Sequence, residues 1–164
     1  MKTALVTGGA ARIGAQIAKT LHDNNFKIII HCNESLEKAE ILSEKLNSKR
    51  KNTVEVVSGN LNSIDSIKSI VDSIDSLDLL VNNASVFYPK SVEDSDIKVW
   101  DEVLNVNLRA PFFLSRGLSE KLSSTVFKIL SADSDISGPI PSPVTNEMLY
   151  LSLIFYTTTI LFFA

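Results

Sequence analysis

The 164-residue sequence contains a single cysteine, Cys32, so no disulfide can form within the chain. This favours a reducing cytoplasm over a secreted context. A basic surplus is also lacking, because 16 lysines and arginines stand against 19 aspartates and glutamates, for a net charge of −3. Proteins that bind nucleic acid or anionic membranes by charge carry such a surplus, so we expect neither partner. Nothing predicts a metal site, and Cys32 is predicted to be a small core residue.

Short apolar runs alternate with segments of helical periodicity over the first 130 residues. The runs predict five strands: TALV (3–6), KIIIHC (27–32), TVEVV (53–57), LDLLV (77–81) and TVFKIL (125–130). Their near-continuous apolarity is typical of strands covered on both faces, as in parallel sheets. Three apolar stripes between them predict helices with one buried face: Ile13, Ile17, Ala18 and Leu21; Leu36, Ala39, Leu42 and Leu46; Ile64, Ile67, Ile70, Val71 and Ile74. This alternation predicts an α/β fold with a doubly wound parallel sheet.

A glycine turn, TGGAARIG at 7–14, follows the first predicted strand. Glycine permits positive φ and a close approach of the backbone to a phosphate, and the following helix N-terminus favours negative charge. The pattern predicts a dinucleotide site, although it is not the plain GxGxxG. Two polar turns, GNLN (59–62) and NNAS (82–85), follow the third and fourth strands. We expect them at the same edge of the sheet, where such folds bind ligands.

Four segments together resemble the short-chain dehydrogenase/reductase family, whose Rossmann fold binds NAD or NADP: TGGAARIG, GNLN, NNAS and LNVNLRAPFFLS (104–115). Arg12, where most members have glycine, and NNASVFYP (82–89) resemble its pteridine reductase branch more narrowly. That branch reduces dihydropteridines, and in some members dihydrofolate, with NADPH. The resemblance implies a small, pterin-like substrate. It also implies a homo-oligomer in the family, which we doubt for this chain because the last strands of the family fold are missing.

The resemblance assigns the cofactor contacts position by position. Gly8, Arg12, Ile13 and Gly14 would hold the pyrophosphate, Asn60 and Leu61 the adenine, Asn82, Ala84 and Ser85 the ribose and nicotinamide, and His31 begins the segment for the 2′-phosphate. In that segment, HCNES (31–35), Glu34 stands where the branch has a basic residue. The family resemblance makes NADP the expected cofactor. NAD is the alternative, because a carboxylate at this position usually binds a ribose 2′-hydroxyl.

The substrate contacts implied by the resemblance are Arg12, Ser85 and Phe87. Phe87 would stack on the pterin ring, because both rings are flat and polarisable. The alternative is that Phe87 is a loop aromatic packed onto the core.

Catalysis in the family uses a tyrosine acid whose pKa is lowered by a lysine four residues later on the same helix. Asn107 matches the family's asparagine that helps hold a water relay, and either Ser131 or Asp133 would orient the reacting group. Tyr150 lies about where the acid is expected, but Ile154 stands at the lysine position and no lysine follows Lys128. We therefore expect impaired catalysis.

The sequence divides into an incomplete Rossmann domain, residues 1–145, and an atypical apolar tail, residues 146–164. Three interpretations of the tail are open: an altered reading frame or gene decay, a buried helix on the sheet, and a membrane anchor. We favour the first interpretation for two reasons. The apolar run 148–164 is short for a bilayer, and both the family motifs and the lysine residues end before the tail begins. The expected function is an NAD(P)H-dependent reductase of the pteridine reductase type, truncated after the fifth strand. The alternative is a non-catalytic protein that binds a dinucleotide or a partner.

Overall fold

A computed structural model describes residues 1–89, 91 and 93–122 of the chain. Its strands are β1 (Thr3–Val6), β2 (Lys27–Cys32), β3 (Val54–Ser58) and β4 (Leu79–Val81). Its α-helices are α1 (Arg12–Asp23), α2 (Leu36–Lys49), α3 (Ile64–Asp72), α4 (Ile97–Leu104) and α5 (Ala110–Leu118). A π-helical turn, Asn105–Arg109, joins α4 to α5, and a 3-10 turn, Ser119–Lys121, follows. The predicted fifth strand, 125–130, lies outside the described residues.

The four strands form one parallel sheet in the order β3-β2-β1-β4. Val6 of β1 pairs with Ile30 on one side and with Val81 on the other. The chain runs outward from β1 to β3 and then crosses back to place β4 on the opposite side of β1. This reversal confirms the predicted α/β, Rossmann-like sheet, and folds of this kind bind ligands at the carboxyl ends of the strands beside the reversal.

Each face of the sheet carries its own apolar core. Ala4 and Val6 of β1 point to the side covered by α1 and α2, where Cys32 is also buried, as predicted. Leu5 points to the other side, which α3 and α5 cover. Because neighbouring side chains of a strand face opposite ways, strands buried on both faces need the continuous apolar runs seen in the sequence.

The predicted boundaries of β1 and β2 are confirmed, β3 is shifted by one residue, and β4 is shorter than predicted. Leu77 lies before β4 and forms an isolated parallel bridge with Leu122. The Asp78 carboxylate, in turn, accepts a hydrogen bond from the Thr3 N–H at 2.8 Å. A side chain thus replaces part of the backbone ladder here, which apolarity alone does not reveal.

The three predicted helical stripes are confirmed except at their first positions. Ile13, Leu36 and Ile64 are 65%, 43% and 43% exposed, whereas most of the later stripe positions are buried. All three lie in the first turn of their helix, at the carboxyl edge of the sheet. The core therefore begins about one turn into each helix, because the first turn extends beyond the strand ends.

In the part of the chain that is described, no helix combines the length and apolarity needed to cross a bilayer. The tail, 146–164, and the predicted boundary at residue 145 lie outside that part. The three interpretations of the tail are therefore still predictions.

Candidate functional site

Two glycines give the turn between β1 and α1 its shape. Gly8 has φ +62°, and a Cβ added to it would lie 3.0 Å from the Ala84 Cα. A Cβ added to Gly14 would overlap the Gly8 carbonyl oxygen and lie 2.6 Å from the Asn83 side-chain nitrogen. Both positions thus exclude any side chain, and the turn folds tightly against the residues that follow β4.

The first turn of α1 is open to an anion. The first N–H groups of any helix lack intrahelical partners, and Ala11 at the N-cap makes no side-chain hydrogen bond to them. Arg12 is exposed and left-handed at φ +50°, a conformation that costs a non-glycine residue about 1–2 kcal/mol. Ile13 is 65% exposed beside it. This backbone cradle, next to a turn without side chains, fits the pyrophosphate of a dinucleotide.

Thr7 and Asn83 fasten the glycine turn to the end of β4. The Thr7 hydroxyl oxygen accepts hydrogen bonds from the N–H groups of Asn83 at 2.9 Å and Ala84 at 3.0 Å, and donates to the Val81 carbonyl. The Asn83 side-chain amide donates to the Thr7 carbonyl at 2.9 Å and the Gly8 carbonyl at 3.3 Å. Both residues lie within motifs noted in the sequence, Thr7 in TGGAARIG and Asn83 in NNAS, but neither was predicted to be a site residue.

His31, predicted to belong to the cofactor site, lies beneath it. Its side chain is buried at 1% exposure, its Nδ1 accepts from the Gly8 N–H at 3.3 Å, and its Nε2 donates to the Gly59 carbonyl at 3.0 Å. Burial lowers the pKa of His31, in keeping with a neutral ring that makes these two bonds. The prediction of a direct contact is therefore corrected: the side chain joins the turns after β1 and β3.

The two predicted cofactor contacts in the GNLN turn after β3, Asn60 and Leu61, differ in their exposure to solvent. Asn60 is exposed, and its side-chain oxygen accepts from the Asn62 N–H at 2.8 Å. Leu61 is only 5% exposed and packs in the core on the α3 and α5 side, so its side chain does not reach the surface that an adenine would contact. Asn62 joins the turn to the π-helical segment by accepting from the Asn105 side chain at 2.8 Å and, at its carbonyl, from Arg109 at 2.7 Å.

The residues after β4 line the edge next to the glycine turn. Asn82 is half-buried and donates to the Ser115 hydroxyl at 3.4 Å, while its buried Oδ1 has no hydrogen-bond partner among the described residues. Ala84 is half-buried against Gly8, and Ser85 is exposed. The structure therefore brings Ala84 next to the glycine turn and leaves the Ser85 hydroxyl open to solvent.

Asn107 lies in the π-helical turn and holds the loop after β4. Its Nδ2 donates to the Val86 carbonyl and its Oδ1 accepts from the Val86 N–H, both at 2.8 Å. Such turns are frequent at functional sites. The side chain thus fixes the backbone between Ser85 and Phe87, while its predicted part in a water relay stays a prediction.

Phe87 projects into solvent with 84% of its surface exposed. The alternative that it packs onto the core is therefore wrong. Tyr88 next to it donates its phenolic hydrogen to the Glu102 Oε1 at 2.8 Å, and this bond raises the pKa of Tyr88. An exposed aromatic ring on a loop anchored at both sides is free to stack on a flat ligand.

A cavity of about 250 Å³ lies between the glycine turn and the residues after β2. Gly8, Ala10 and Ala11 form one wall, and Cys32, Asn33, Glu34 and Ser35 form the other. Glu34 is the one charged residue among these described lining residues. The cavity adjoins the cradle at the N-terminus of α1.

The predicted catalytic residues Ser131, Asp133 and Tyr150 lie outside the described residues, so the structure does not test them. Within the described ranges, no three histidine, cysteine, aspartate or glutamate side chains cluster closely enough to hold a metal ion. The described site thus consists of a dinucleotide cradle, an adjoining cavity and an exposed aromatic loop.

Comparisons with known proteins agree with this geometry. A family model described as short chain dehydrogenase matches residues 2–138. An uncharacterized oxidoreductase of Thermotoga maritima is 34% identical over 150 residues, covering 87% of this chain and 58% of the relative. Pteridine reductase 1 of Leishmania tarentolae is 27% identical over 157 residues, covering 74% of this chain and 54% of the relative. This chain thus spans little more than half the length of these relatives.

Solved structures give the same match. The crystal structure of FolM alternative dihydrofolate reductase 1 from Brucella suis, in complex with NADP, superposes with a TM-score of 0.67. The two sequences are 35% identical, and the match covers 75% of this chain and 51% of that one.

Proposed function

The chain belongs to the short-chain dehydrogenase family, and from this premise we propose that it binds a nicotinamide dinucleotide and serves as a reductase. The observation that carries the proposal is the cradle formed by Gly8, Gly14 and the uncapped first turn of α1. Its position at the carboxyl ends of β1 and β4 supports the assignment. The Brucella suis relative was solved with NADP, which makes NADP the first cofactor to test and NAD the second.

A flat, pterin-like molecule is the proposed substrate. Phe87 supports this proposal, because its exposed ring stands on the loop that follows the β4 end of the cradle. Two relatives carry the names pteridine reductase and dihydrofolate reductase, and both names describe the reduction of pterin rings. Arg12 and Ser85, both exposed, are the polar contacts proposed for the ring edge.

Reduction needs a hydride, which the reduced nicotinamide supplies when bound, and a proton from the protein. We assign the proton to Tyr150 and the orienting role to Ser131 or Asp133. A tyrosine without a neighbouring cation keeps a pKa of about 10, so it gives up its proton slowly at neutral pH. Because Ile154 replaces the lysine of the family motif, we propose that turnover is slow.

Titration of the full chain with NADPH and NADH tests the cofactor proposal. A matched assay, which follows dihydropteridine reduction by the loss of nicotinamide absorbance, tests the activity. We expect binding in the micromolar range and turnover well below the usual 1–1000 per second of enzymes, about 10 per second being the median. Failure of the folded chain to bind either nucleotide contradicts the proposal.

Binding without any turnover favours the alternative of a non-catalytic dinucleotide-binding protein. A cytoplasmic location and a small-molecule partner belong to the same proposal. The doubt that this chain forms the family's homo-oligomer stays a prediction, for which sedimentation of the purified chain is the direct measurement.

A further inference from the structure

We propose that Arg109 is a positioning residue that couples the adenine end of the dinucleotide site to the substrate loop, because it holds the π-helical turn against the GNLN turn (59–62). The substrate loop is the segment 85–88 after β4, which carries Phe87. This inference rests on the proposed function, since it assumes that a dinucleotide binds at the GNLN turn and a flat substrate at Phe87. It gives a role to an arginine that the proposed chemistry does not use.

The π-helical turn holds two loops at once. The Asn105 carbonyl accepts the i→i+5 hydrogen bond that defines such a turn. Asn105 and Arg109 both bond to Asn62 in the GNLN turn, at 2.8 Å and 2.7 Å. Asn107, midway between them, bonds instead to both polar backbone groups of Val86. One short stretch of chain therefore contacts both of the proposed ligand ends.

On the cofactor side, hydrogen bonds run without a break from the surface to the π-helical turn. Asn60 is exposed and is the proposed adenine contact, and its side-chain oxygen accepts from the Asn62 N–H at 2.8 Å. The Asn62 carbonyl in turn accepts from the Arg109 Nη2. Leu61 and Val106 are buried in the same apolar core, so the two turns also share a floor. A ligand that fixes Asn60 thus acts on a turn bonded to the π-helical segment.

On the substrate side, the chain is tethered just before and just after Phe87. Asn107 holds the Val86 backbone, and Glu102 of α4 accepts a hydrogen bond from the Tyr88 hydroxyl at 2.8 Å. Both tethers come from α4 and the π-helical turn that directly follows it. The position of the exposed Phe87 ring therefore depends on the position of this segment.

Arg109 holds the GNLN turn by a single short bond. Its buried Nε has no hydrogen-bond partner in the described part of the chain. The bond falls on the Asn62 carbonyl and so fixes the backbone of the turn, whereas Asn105 bonds only to the Asn62 side chain. A dinucleotide that limits the motion of the GNLN turn should therefore also limit the motion of the substrate loop. Two ligands that order the same segment bind cooperatively.

Amide hydrogen exchange of the full chain with ADP-ribose tests the coupling. ADP-ribose has the adenine and the pyrophosphate but no nicotinamide, so it cannot order the substrate loop through a nicotinamide contact. Saturating ADP-ribose, or its 2′-phosphate form if the chain binds NADPH more tightly than NADH, should slow exchange of the Val86 N–H by about fivefold or more. The Arg50 N–H, which bonds to the Leu46 carbonyl at the end of α2, is the internal control and should not change.

Affinity for the substrate gives a second measurement. A dihydropteridine should bind about fivefold or more tightly to the chain saturated with ADP-ribose, and ADP-ribose should gain the same factor from the dihydropteridine, because coupling between two sites is reciprocal.

Arginine variants isolate the role of the side chain. Arg109→Met keeps the length and removes the donors, so it should still bind ADP-ribose but lose both the slower exchange at Val86 and the gain in dihydropteridine affinity. Arg109→Lys keeps a donor for the Asn62 carbonyl and should restore part of both. Arg116→Met is the matched control, because Arg116 is an exposed arginine of α5 with no hydrogen bond to the GNLN turn.

The outcomes separate the two proposals. If the folded chain binds neither NADH, NADPH nor ADP-ribose, the proposed function fails and the coupling fails with it. If the chain binds a dinucleotide but not ADP-ribose, or binds ADP-ribose without a change at Val86, the coupling is overturned while the proposed function stands. Equal responses of Arg109→Met and Arg116→Met to ADP-ribose overturn the role of Arg109 in the same way. The measurements on the unmodified chain decide the coupling even if Arg109→Met does not fold.

Discussion

Thr7 and Asn83 hold each other through two reciprocal contacts at the carboxyl ends of β1 and β4. The Asn83 N–H donates to the Thr7 hydroxyl oxygen at 2.9 Å, and the Asn83 side-chain amide donates to the Thr7 carbonyl at the same distance. The Thr7 side chain is buried, so water cannot replace these bonds. The glycine turn therefore owes its position to a threonine and an asparagine whose side chains bond to the backbone at the ends of the two strands.

Replacing Thr7 with valine should destabilise the chain, because the shape is kept while the Ala84 N–H loses its acceptor and the Asn83 N–H keeps only its bond to the Val81 carbonyl at 3.1 Å. An unsatisfied buried group costs about 1–3 kcal/mol and a lost hydrogen bond about 1 kcal/mol, so we expect the free energy of unfolding to fall by about 1–4 kcal/mol. Urea unfolding followed by circular dichroism measures the change. Thr7→Ser keeps the hydroxyl and should lose about 1 kcal/mol or less for the missing methyl. Equal losses in the two variants would contradict the role given to the hydroxyl.

Replacing Gly14 with alanine should abolish dinucleotide binding, because the added Cβ overlaps the Gly8 carbonyl and forces the turn to open. Gly117→Ala is the matched control. Gly117 is also a helical glycine whose added Cβ meets a close neighbour, at 2.9 Å from the Val71 Cγ2, but it lies in α5 against α3. Both variants gain about 1 kcal/mol of helix propensity. NADH and NADPH titrations should show lost binding in the first and retained binding in the second. Unchanged binding by Gly14→Ala contradicts the cradle.

The fold was largely predictable because its signals are local and repeated. Parallel strands covered on both faces need continuous apolar runs, and this requirement placed β1 and β2 to the residue. β4 was predicted too long, because the backbone of Leu77 and the side chain of Asp78 end the ladder through partners 45 and 75 residues away. Contacts at such separations leave no periodicity in the sequence.

The site residues were predictable where their role depends on the residue type, and less so where it depends on the direction in which the side chain points. The need for glycine at positions 8 and 14 follows from the turn itself. His31 belongs to the motif segment but is the next-to-last residue of β2, and its register in the strand directs the ring inward, to Gly8 and Gly59. A motif fixes which residues stand near a ligand, and burial decides which side chains touch it.

Replacing Asn107 with alanine should loosen the loop after β4, because both bonds to the Val86 backbone are lost. Two hydrogen bonds of about 1 kcal/mol each set the expected loss of stability at about 1–3 kcal/mol. Amide hydrogen exchange at Val86 should speed up most. Asn105→Ala is the control, since Asn105 lies in the same turn but bonds to Asn62, in the turn after β3. If both variants raise the amide exchange rate at Val86 equally, the Asn107 side chain does not specifically fix the loop.

Acid should destabilise the chain through His22, which is only 3% exposed. The Thr53 hydroxyl donates to the Arg50 carbonyl at 2.6 Å and so accepts from the His22 Nε2 at 2.9 Å, which leaves Nδ1 without a hydrogen-bond partner among the described residues. Burial first, and then the positive charge of Arg50, lower the pKa of His22, against a smaller opposing effect of Asp23.

The sign of the effect follows from proton uptake. Below the ordinary histidine pKa of 6.5 the unfolded chain binds a proton that the folded chain does not, so the free energy of unfolding falls as the pH drops from 6.5 toward the lowered pKa. His31, the other histidine of the sequence, also has a lowered pKa and adds to the same slope.

Urea midpoints at pH 7.5, 6.5 and 5.5 measure this dependence of the free energy of unfolding on pH. His22→Gln keeps a hydrogen-bond donor for Thr53 and cannot titrate, so its pH slope should be shallower. Asp23→Asn removes the one group that favours the charged His22 ring, so its pH slope should be steeper. A slope that is the same in all three proteins would show that His22 takes up its proton equally well in the folded chain.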